Sequence, residues 1–188
     1  MRRIWTAALF GLCASLLAGC FASDTALIDD ATSTTPLKPG NYTATSSKPG
    51  ESEAPTKVKI TTDGNLTVFT SLDDKDSDAP TKVFFRKVRG DYYAMLESKA
   101  DDKSYVYMLA EIDNGGMKMF DFTDACKTLE GVAAASHADI TSLGVARVEK
   151  GAELDTCYFK SFDDLAKGFR AIIDKGPMEP VTILTPGT

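Results

Sequence analysis

The sequence predicts a mainly β protein of the α+β class, in which an antiparallel meander of about seven strands is packed by one C-terminal helix. Two observations predict the meander. Short runs of β-branched and aromatic residues follow one another from residue 40 to residue 122, and turn residues such as Asp-Gly separate them. Because these connections are short, consecutive strands are expected to be antiparallel neighbours, in an open sheet or a closed barrel. A third observation, an apolar stripe at helical spacing over residues 161–175, predicts the helix.

Composition divides the 188-residue chain into three parts. Residues 1–19 form an apolar leader, and residues 20–39 are dominated by Ser, Thr, Asp, Ala and Pro. The second part contains too little apolar surface to offset its conformational entropy, so it is predicted to be a flexible tether. Residues 40–188 are predicted to fold as a single β-rich domain, since roughly 170 residues after the leader suffice for one core.

The strands are expected where apolar and polar side chains alternate. In the first hairpin, a three-residue loop ending at Gly64 would pair Ile60 with Leu66 and Val58 with Val68. This register is preferred over a two-residue loop because it keeps one face apolar and places Gly64 where φ is positive. The predicted strand ranges are 41–47, 56–60, 66–70, 81–89, 92–98, 104–112 and 117–122.

After residue 122 the pattern is less regular. Residues 125–136 are rich in Ala and predict a short helix, whereas residues 140–148 fit either a helix or a strand. Residues 157–159 indicate a short strand. Residues 181–184, which lie between two prolines, predict a final edge strand.

The C-terminal helix has clear ends. Ser161 is its predicted N-cap, with Asp164 three residues later, and Gly176 and Pro177 end it. Its apolar stripe must be buried, and we expect it to plug the interior of the sheet rather than to leave a ligand cavity there. The stripe consists of Phe162, Leu165, Phe169, Ile172 and Ile173.

The leader begins with Arg2 and Arg3, continues through the uncharged apolar residues 4–17, and ends in Leu17-Ala18-Gly19-Cys20. The apolar run has the length of a signal-peptide core and is too short to span a bilayer comfortably. Its ending resembles the lipobox of bacterial lipoproteins at all four positions. The alternative is an ordinary secretory signal in which Cys20 is incidental.

The resemblance implies a lipid anchor on Cys20. The Gly19–Cys20 bond would be cut, the Cys20 thiol would receive a diacylglyceryl group, and the new amino terminus could also be acylated. Two or more such chains hold a protein stably in a membrane, whereas one gives only marginal binding. An Asp after the cysteine retains enterobacterial lipoproteins in the inner membrane. Phe21 occupies that position here, which favours the outer membrane, facing the periplasm.

The remaining cysteines predict a disulfide. Cys13 leaves with the leader and Cys20 carries the lipid, so Cys126 and Cys157 remain as one pair in an oxidising compartment. A redox or metal pair is the alternative, but the chain has no C-x-x-C spacing and one histidine. No metal or cofactor is therefore expected.

Two patterns resemble catalytic or metal sites without completing them. The acidic stretch 73–78 alternates Asp as an EF-hand loop does, but it lacks the required Gly and final Glu, so a solvated loop is expected. His137 lies near Ser136 and Asp139 without a G-x-S-x-G motif, so no hydrolytic triad is predicted.

These observations favour a non-enzymatic envelope lipoprotein that binds an envelope protein or a cell-wall component. The formal net charge of −6, or −8 without the leader, argues against nucleic-acid binding. One alternative is a lipocalin-like carrier, in which the meander closes around an apolar cavity for a small ligand. Another is a glycan hydrolase that uses two carboxyl groups.

Overall fold

The computed structural model describes residues 21–47, 54–73, 79–97, 105–120, 125–151 and 155–187. Within these ranges the chain forms eleven β-strands, two α-helices and a short 3₁₀ helix. The strands are β1 (Phe21–Ser23), β2 (Gly40–Ser46), β3 (Thr56–Asp63), β4 (Leu66–Ser71), β5 (Thr81–Arg89), β6 (Tyr92–Glu97), β7 (Tyr105–Asp113), β8 (Gly116–Phe120), β9 (Arg147–Glu149), β10 (Thr156–Tyr158) and β11 (Pro180–Pro186). The helices are α1 (Ala125–Ala135), the 3₁₀ helix (Ile140–Leu143) and α2 (Phe162–Lys175).

Eight of the strands close into an antiparallel barrel. Each strand from β2 to β8 pairs with the next, which confirms the predicted meander of seven strands. β11 pairs with both β8 and β2 and completes the ring. The strand predicted at 181–184 is therefore confirmed, but its predicted place at an edge is wrong, because it has a neighbour on each side and closure removes the edges.

The barrel interior is filled by the inward-facing side chains of its own strands. Ile60, Phe85, Met95 and Ala110 have 0% exposed surface, so no water-sized space adjoins them. An eight-stranded barrel is just wide enough for side chains to fill it. The interior cluster is completed by Leu37, Tyr42, Ala44, Val58, Phe69, Val83, Ile112, Met117, Met119 and Leu184.

Both helices lie outside the barrel, against the outer wall that includes β6, β7 and β8. Leu96 and Leu109 pack outward into one core with Leu165 and Phe169 of α2. The expected burial of the helical stripe is confirmed, but its expected place inside the sheet is wrong, because the strands fill the interior themselves. β6 and β7 are apolar on both faces, and the helices supply the cover that their outer face needs.

The opposite wall, from β2 to β4, faces solvent, except that Val68 on the outer face of β4 is buried. Along β3 the side chains of Val58 and Ile60 point inward and are buried, whereas Lys57 and Lys59 are exposed on the outer face. This alternation is typical of an antiparallel sheet with one solvated face, and it explains why these strands were visible in the sequence.

The hairpin of β3 and β4 turns at Gly64 and Asn65 rather than through a three-residue loop. Ile60 pairs with Phe69 and not with Leu66, so the predicted register is wrong. Gly64 does adopt the expected positive φ, at 59°. The observed register places the Phe69 ring in the interior cluster and turns Leu66 to the outer wall, so the larger side chain occupies the core.

The described part of the predicted tether, residues 21–39, belongs to the fold, so the prediction of a flexible tether over 20–39 is wrong. β1 pairs with the start of β7 in antiparallel and with β10 in parallel. Phe21 and Ile28 have 0% exposed surface, and Leu37 has 2%. A few spaced apolar residues are enough to fix this polar segment, because the folded body supplies the surface that covers them.

The elements after the barrel match the weaker sequence signals. α1 confirms the short helix predicted at 125–136, and β10 confirms the short strand predicted near 157. The ambiguous stretch 140–148 holds the 3₁₀ helix and part of β9. Gly144 ends that 3₁₀ helix with φ 91°, and a Cβ there would lie 2.6 Å from the Asp164 carbonyl oxygen. Glycine is therefore required at this position.

Candidate functional site

The described part of the chain begins at the residue that follows the predicted lipidation site. β1 starts at Phe21, while Gly19 and Cys20 lie outside the described residues. Phe21 pairs with Tyr107 on one side and with Cys157 on the other. Within the described ranges, no helix is long and apolar enough to cross a membrane. A lipid on Cys20 would therefore be attached directly to the folded body.

The buried hydroxyl of Tyr107 fastens the N-terminal segment to the barrel. It accepts a 2.8 Å hydrogen bond from the backbone N–H of Leu27 and lies 3.0 Å from the Ser23 hydroxyl, with which it shares a hydrogen bond. Burial raises the pKa of Tyr107 above its ordinary value of 10.0, so the hydroxyl stays protonated. Its role is to position the segment rather than to transfer protons.

A surface cluster of charges joins the same segment to β9 and β10. The Arg147 guanidinium donates hydrogen bonds of 2.5 and 2.8 Å to the Asp24 carboxylate and two more, of 3.1 and 3.2 Å, to Glu149. It also lies 3.6 Å from the ring centre of Tyr158. The hydrogen bonds between Asp24 and Arg147 lower the pKa of the Asp24 carboxyl group and raise the pKa of the Arg147 guanidinium. Because the cluster is solvated, it positions the segment more than it stabilises the fold.

The N-terminal segment closes the end of the barrel at which the β3–β4, β5–β6 and β7–β8 turns lie. The Ser33 hydroxyl donates to the Asn65 carbonyl at 2.9 Å and accepts from the Phe85 N–H at 3.2 Å. Leu37 then joins the interior cluster three residues before β2 begins. This end of the barrel is therefore covered by the chain itself.

The opposite end of the barrel carries a ring of polar side chains, which we call the mouth. By alternation along their strands, these residues share the inward face with the interior cluster. Met95, Met108 and Met119 lie on the same face one step further in. The inward-facing positions of the described strands are thus polar at this end, above an apolar floor. Its residues, all half-buried, are Ser46, Thr56, Thr81, Glu97 and Thr182.

The mouth does not present a pair of carboxyl groups among the residues that the structure describes. Glu97 is the one acidic residue at the inward-facing positions of the described strands. Two-carboxylate glycoside hydrolysis needs a second carboxyl group about 5–10 Å away across a cleft. In the same part of the chain, no group of three or more His, Cys, Asp or Glu is placed to hold a metal ion.

The sequence motifs that resembled catalytic or metal sites do not form one in the described chain. His137 is exposed, with φ 51°, just after α1. The Asp139 carboxylate instead accepts a 2.8 Å hydrogen bond from the Thr141 N–H as the N-cap of the 3₁₀ helix. Residues 74–78 of the acidic stretch lie outside the described residues.

The predicted disulfide is present. Cys126 of α1 and Cys157 of β10 are bonded, with their Cα atoms 5.5 Å apart, and both are buried. Because β10 also pairs with β1, the bond ties α1 to the strand next to the N-terminal segment.

A groove opens between the end of β8, α1 and the C-terminal end of α2, with a volume of about 380 Å³. Phe120 and Ile172 are buried in its lining, and Met178 is half-buried beside them. Lys175 and Glu179 are exposed at its rim. We call this feature the Phe120 groove.

No local sequence pattern indicates the contacts that hold the N-terminal segment. Tyr107 lies 80 residues from Leu27, and Arg147 lies 123 residues from Asp24. The concentration of aromatic residues in β7 predicted a core position for Tyr107, but not the partner of its hydroxyl. Only the parallel pairing of β1 with β10 brings Asp24 and Arg147 together.

No family model, curated protein or solved structure matches this chain. Function is therefore inferred from the chemistry and geometry of the chain itself.

Proposed function

We propose that this chain is a lipid-anchored lipoprotein of the bacterial outer membrane, facing the periplasm. Its body would bind an envelope protein or a cell-wall component and would catalyse no reaction. The observation that carries the proposal is the packed barrel, since Ile60, Phe85 and Met95 have 0% exposed surface. A barrel without internal space at these positions offers its surface to a partner rather than a cavity to a ligand.

The anchor is supported by the four lipobox positions and by the disulfide. Disulfides persist in oxidising compartments such as the bacterial periplasm, and Cys126 and Cys157 are joined. The position of β1 adds that a lipidated Cys20 would hold the body close to the bilayer, because Phe21 is already part of the core.

The mouth is the surface that best suits a polar partner. Thr56, Thr81 and Thr182 bring hydroxyl groups that donate and accept hydrogen bonds, and Glu97 adds a carboxylate. Hydroxyl-rich glycans and peptide amides offer the complementary groups. Polar side chains of this kind suit a partner that binds at the barrel end through hydrogen bonds.

A lipocalin-like carrier is the second candidate, because one observation favours it. Met95, Met108, Met117 and Met119 line adjacent strands of the interior. Methionine side chains are flexible and repack easily, so this side of the barrel could open around an apolar ligand.

Site-specific photo-cross-linking in cells tests the first candidate. A photoreactive phenylalanine analogue in place of Thr182, at the mouth, should give a defined adduct with an envelope protein or with cell-wall fragments. The same analogue in place of Thr61, on the solvated outer wall, is the matched control and should give none.

Equal adducts at both positions, or none at the mouth, would contradict binding at the barrel end. Native mass spectrometry of the purified protein separates the carrier from the binding module. A non-covalent lipid that stays with the body would favour the carrier.

A further inference from the structure

The Phe120 groove lies beside the point at which the described chain begins. Phe21 pairs with Tyr107 of β7, and Phe120 pairs with Leu109 of the same strand. Tyr107 pairs with Leu96 of β6 at one edge of β7. β1 therefore lies at the other edge of β7, which is the edge that also pairs with β8. Two positions along a strand span about 7 Å. The described chain therefore begins two strand positions from Phe120, along the same edge of β7.

The lining of the groove combines apolar and polar residues: Phe120, Ile172, Pro177 and Met178 are apolar, and Thr128, Lys175 and Glu179 are polar or charged. Phe120 is 4% exposed and Ile172 is 3% exposed, and Met178 stands half-buried beside them. Lys175 and Glu179 occupy the solvated rim. The apolar side chains offer a hydrocarbon chain, which makes no hydrogen bonds, a surface to pack against.

We propose that the Phe120 groove holds one acyl chain of the lipid on Cys20, an inference that rests on the proposed lipid anchor. Cys20 directly precedes Phe21, so the lipid needs no linker to reach the groove. The volume of about 380 Å³ lies near the lower limit of small-molecule sites, which is roughly 300 Å³, and suits one chain rather than a whole lipid. The other chains remain in the bilayer and hold the protein there.

The seated chain would also set the orientation of the body. With one acyl chain in the groove and the others in the bilayer, the side of the barrel formed by β8 and the C-terminal end of α2 faces the membrane. The solvated wall from β2 to β4 then faces away from it, since β4 lies four strands around the ring from β8.

Photo-cross-linking of the lipid itself tests the inference. Cells that express the full chain are grown with a diazirine fatty acid, and the protein is extracted in mild detergent and irradiated. The expected result is an intramolecular cross-link from Cys20 to the peptides that hold Phe120 or Met178. Met178→Glu, which places a charge in the groove, should abolish that cross-link. Leu72→Glu is the matched control and should retain it, because Leu72 is an exposed apolar residue after β4, on the opposite side of the barrel.

The outcomes separate the two proposals. A protein without acyl mass on Cys20 would refute the anchor, and this inference with it. A protein with acyl mass whose label is found on detergent, on a second copy of the chain, or evenly over the surface would refute the groove alone. The position of the cross-link in the lipidated chain without substitutions tests the groove even if Met178→Glu impairs folding.

Discussion

Replacement of Phe21 by Ala tests whether the residue after the predicted lipidation site belongs to the core. The Phe21 side chain has 0% exposed surface. Its ring centre lies 5.0 Å from that of Phe159 and 5.1 Å from that of Phe169, so it joins β10 and α2 to the barrel. Loss of a phenylalanine from a packed core costs about 3–5 kcal/mol, whereas a residue in a tether would cost less than about 0.5 kcal/mol.

The assay is thermal unfolding monitored by circular dichroism. The protein carries Cys20→Ser, which releases it from the membrane. In a protein of this size, 1 kcal/mol shifts Tm by roughly 2–4 °C, so Phe21→Ala should lower Tm by roughly 6–20 °C. Phe162→Ala is the matched control. Phe162 is half-buried at the start of α2, under the guanidinium of Arg86 at 3.9 Å, and its loss should cost about 1–2 kcal/mol. A Tm for Phe21→Ala equal to that of the parent would refute the assignment of this segment to the core.

Three further predictions concern stability. Replacement of Cys126 and Cys157 by Ala should lower the free energy of unfolding by roughly 3–4 kcal/mol, as a 31-residue separation implies; a loss below about 1 kcal/mol in urea titration would count against it. Thr67→Val should raise that free energy by about 1 kcal/mol, because the Thr67 hydroxyl is buried without a hydrogen-bond partner in the described structure, and a lower midpoint would contradict this. The pKa of Asp24 is lowered by Arg147, so their pairing stabilises the fold above the ordinary pKa of 3.8 and is lost as the pH falls through the lowered value. Asp24→Asn should therefore make the free energy of unfolding depend less steeply on pH below about pH 4. An unchanged pH dependence would rule out this contribution.

Local signals were sufficient to predict the strands on the solvated side of the barrel and the C-terminal helix. Val58 and Ile60 alternate with lysines, and Ser161 caps α2 by accepting from the Asp164 N–H, as the sequence indicated. The continuous apolar run of β6 also carried a signal for burial on both faces. A strand that is buried on both faces needs a cover on its outer side, and α2 supplies it from outside the barrel.

Long-range pairing was not predictable in the same way. β1 is only three residues long, and its burial depends on β7 and β10, which follow more than 80 residues later. Closure of the barrel likewise depends on β11 returning between β8 and β2 after two helices. Such pairings are fixed by packing over the whole domain and leave no periodicity in the segments that make them.

The same distinction between local signals and long-range contacts applies to the candidate site. Cys20 and the cysteine pair were predicted because a lipobox and an even cysteine count are local or compositional features. The Phe120 groove combines residues from β8, α1, α2 and the loop before β11, and no motif in any one of them indicates it. The mouth is equally dispersed, since each of its residues comes from a different strand.

The intact mass of the protein extracted from bacterial membranes tests the central claim most directly. The anchor at Cys20 predicts a chain that begins at Cys20 and carries the added mass of a diacylglyceryl group, with or without a further acyl chain on the amino terminus. Cys20→Ser should abolish that mass and release a folded body, because the core residues of the described chain, from Phe21 onward, are unchanged. A soluble periplasmic protein with an unmodified Cys20, or a chain that begins at another residue, would contradict the claim.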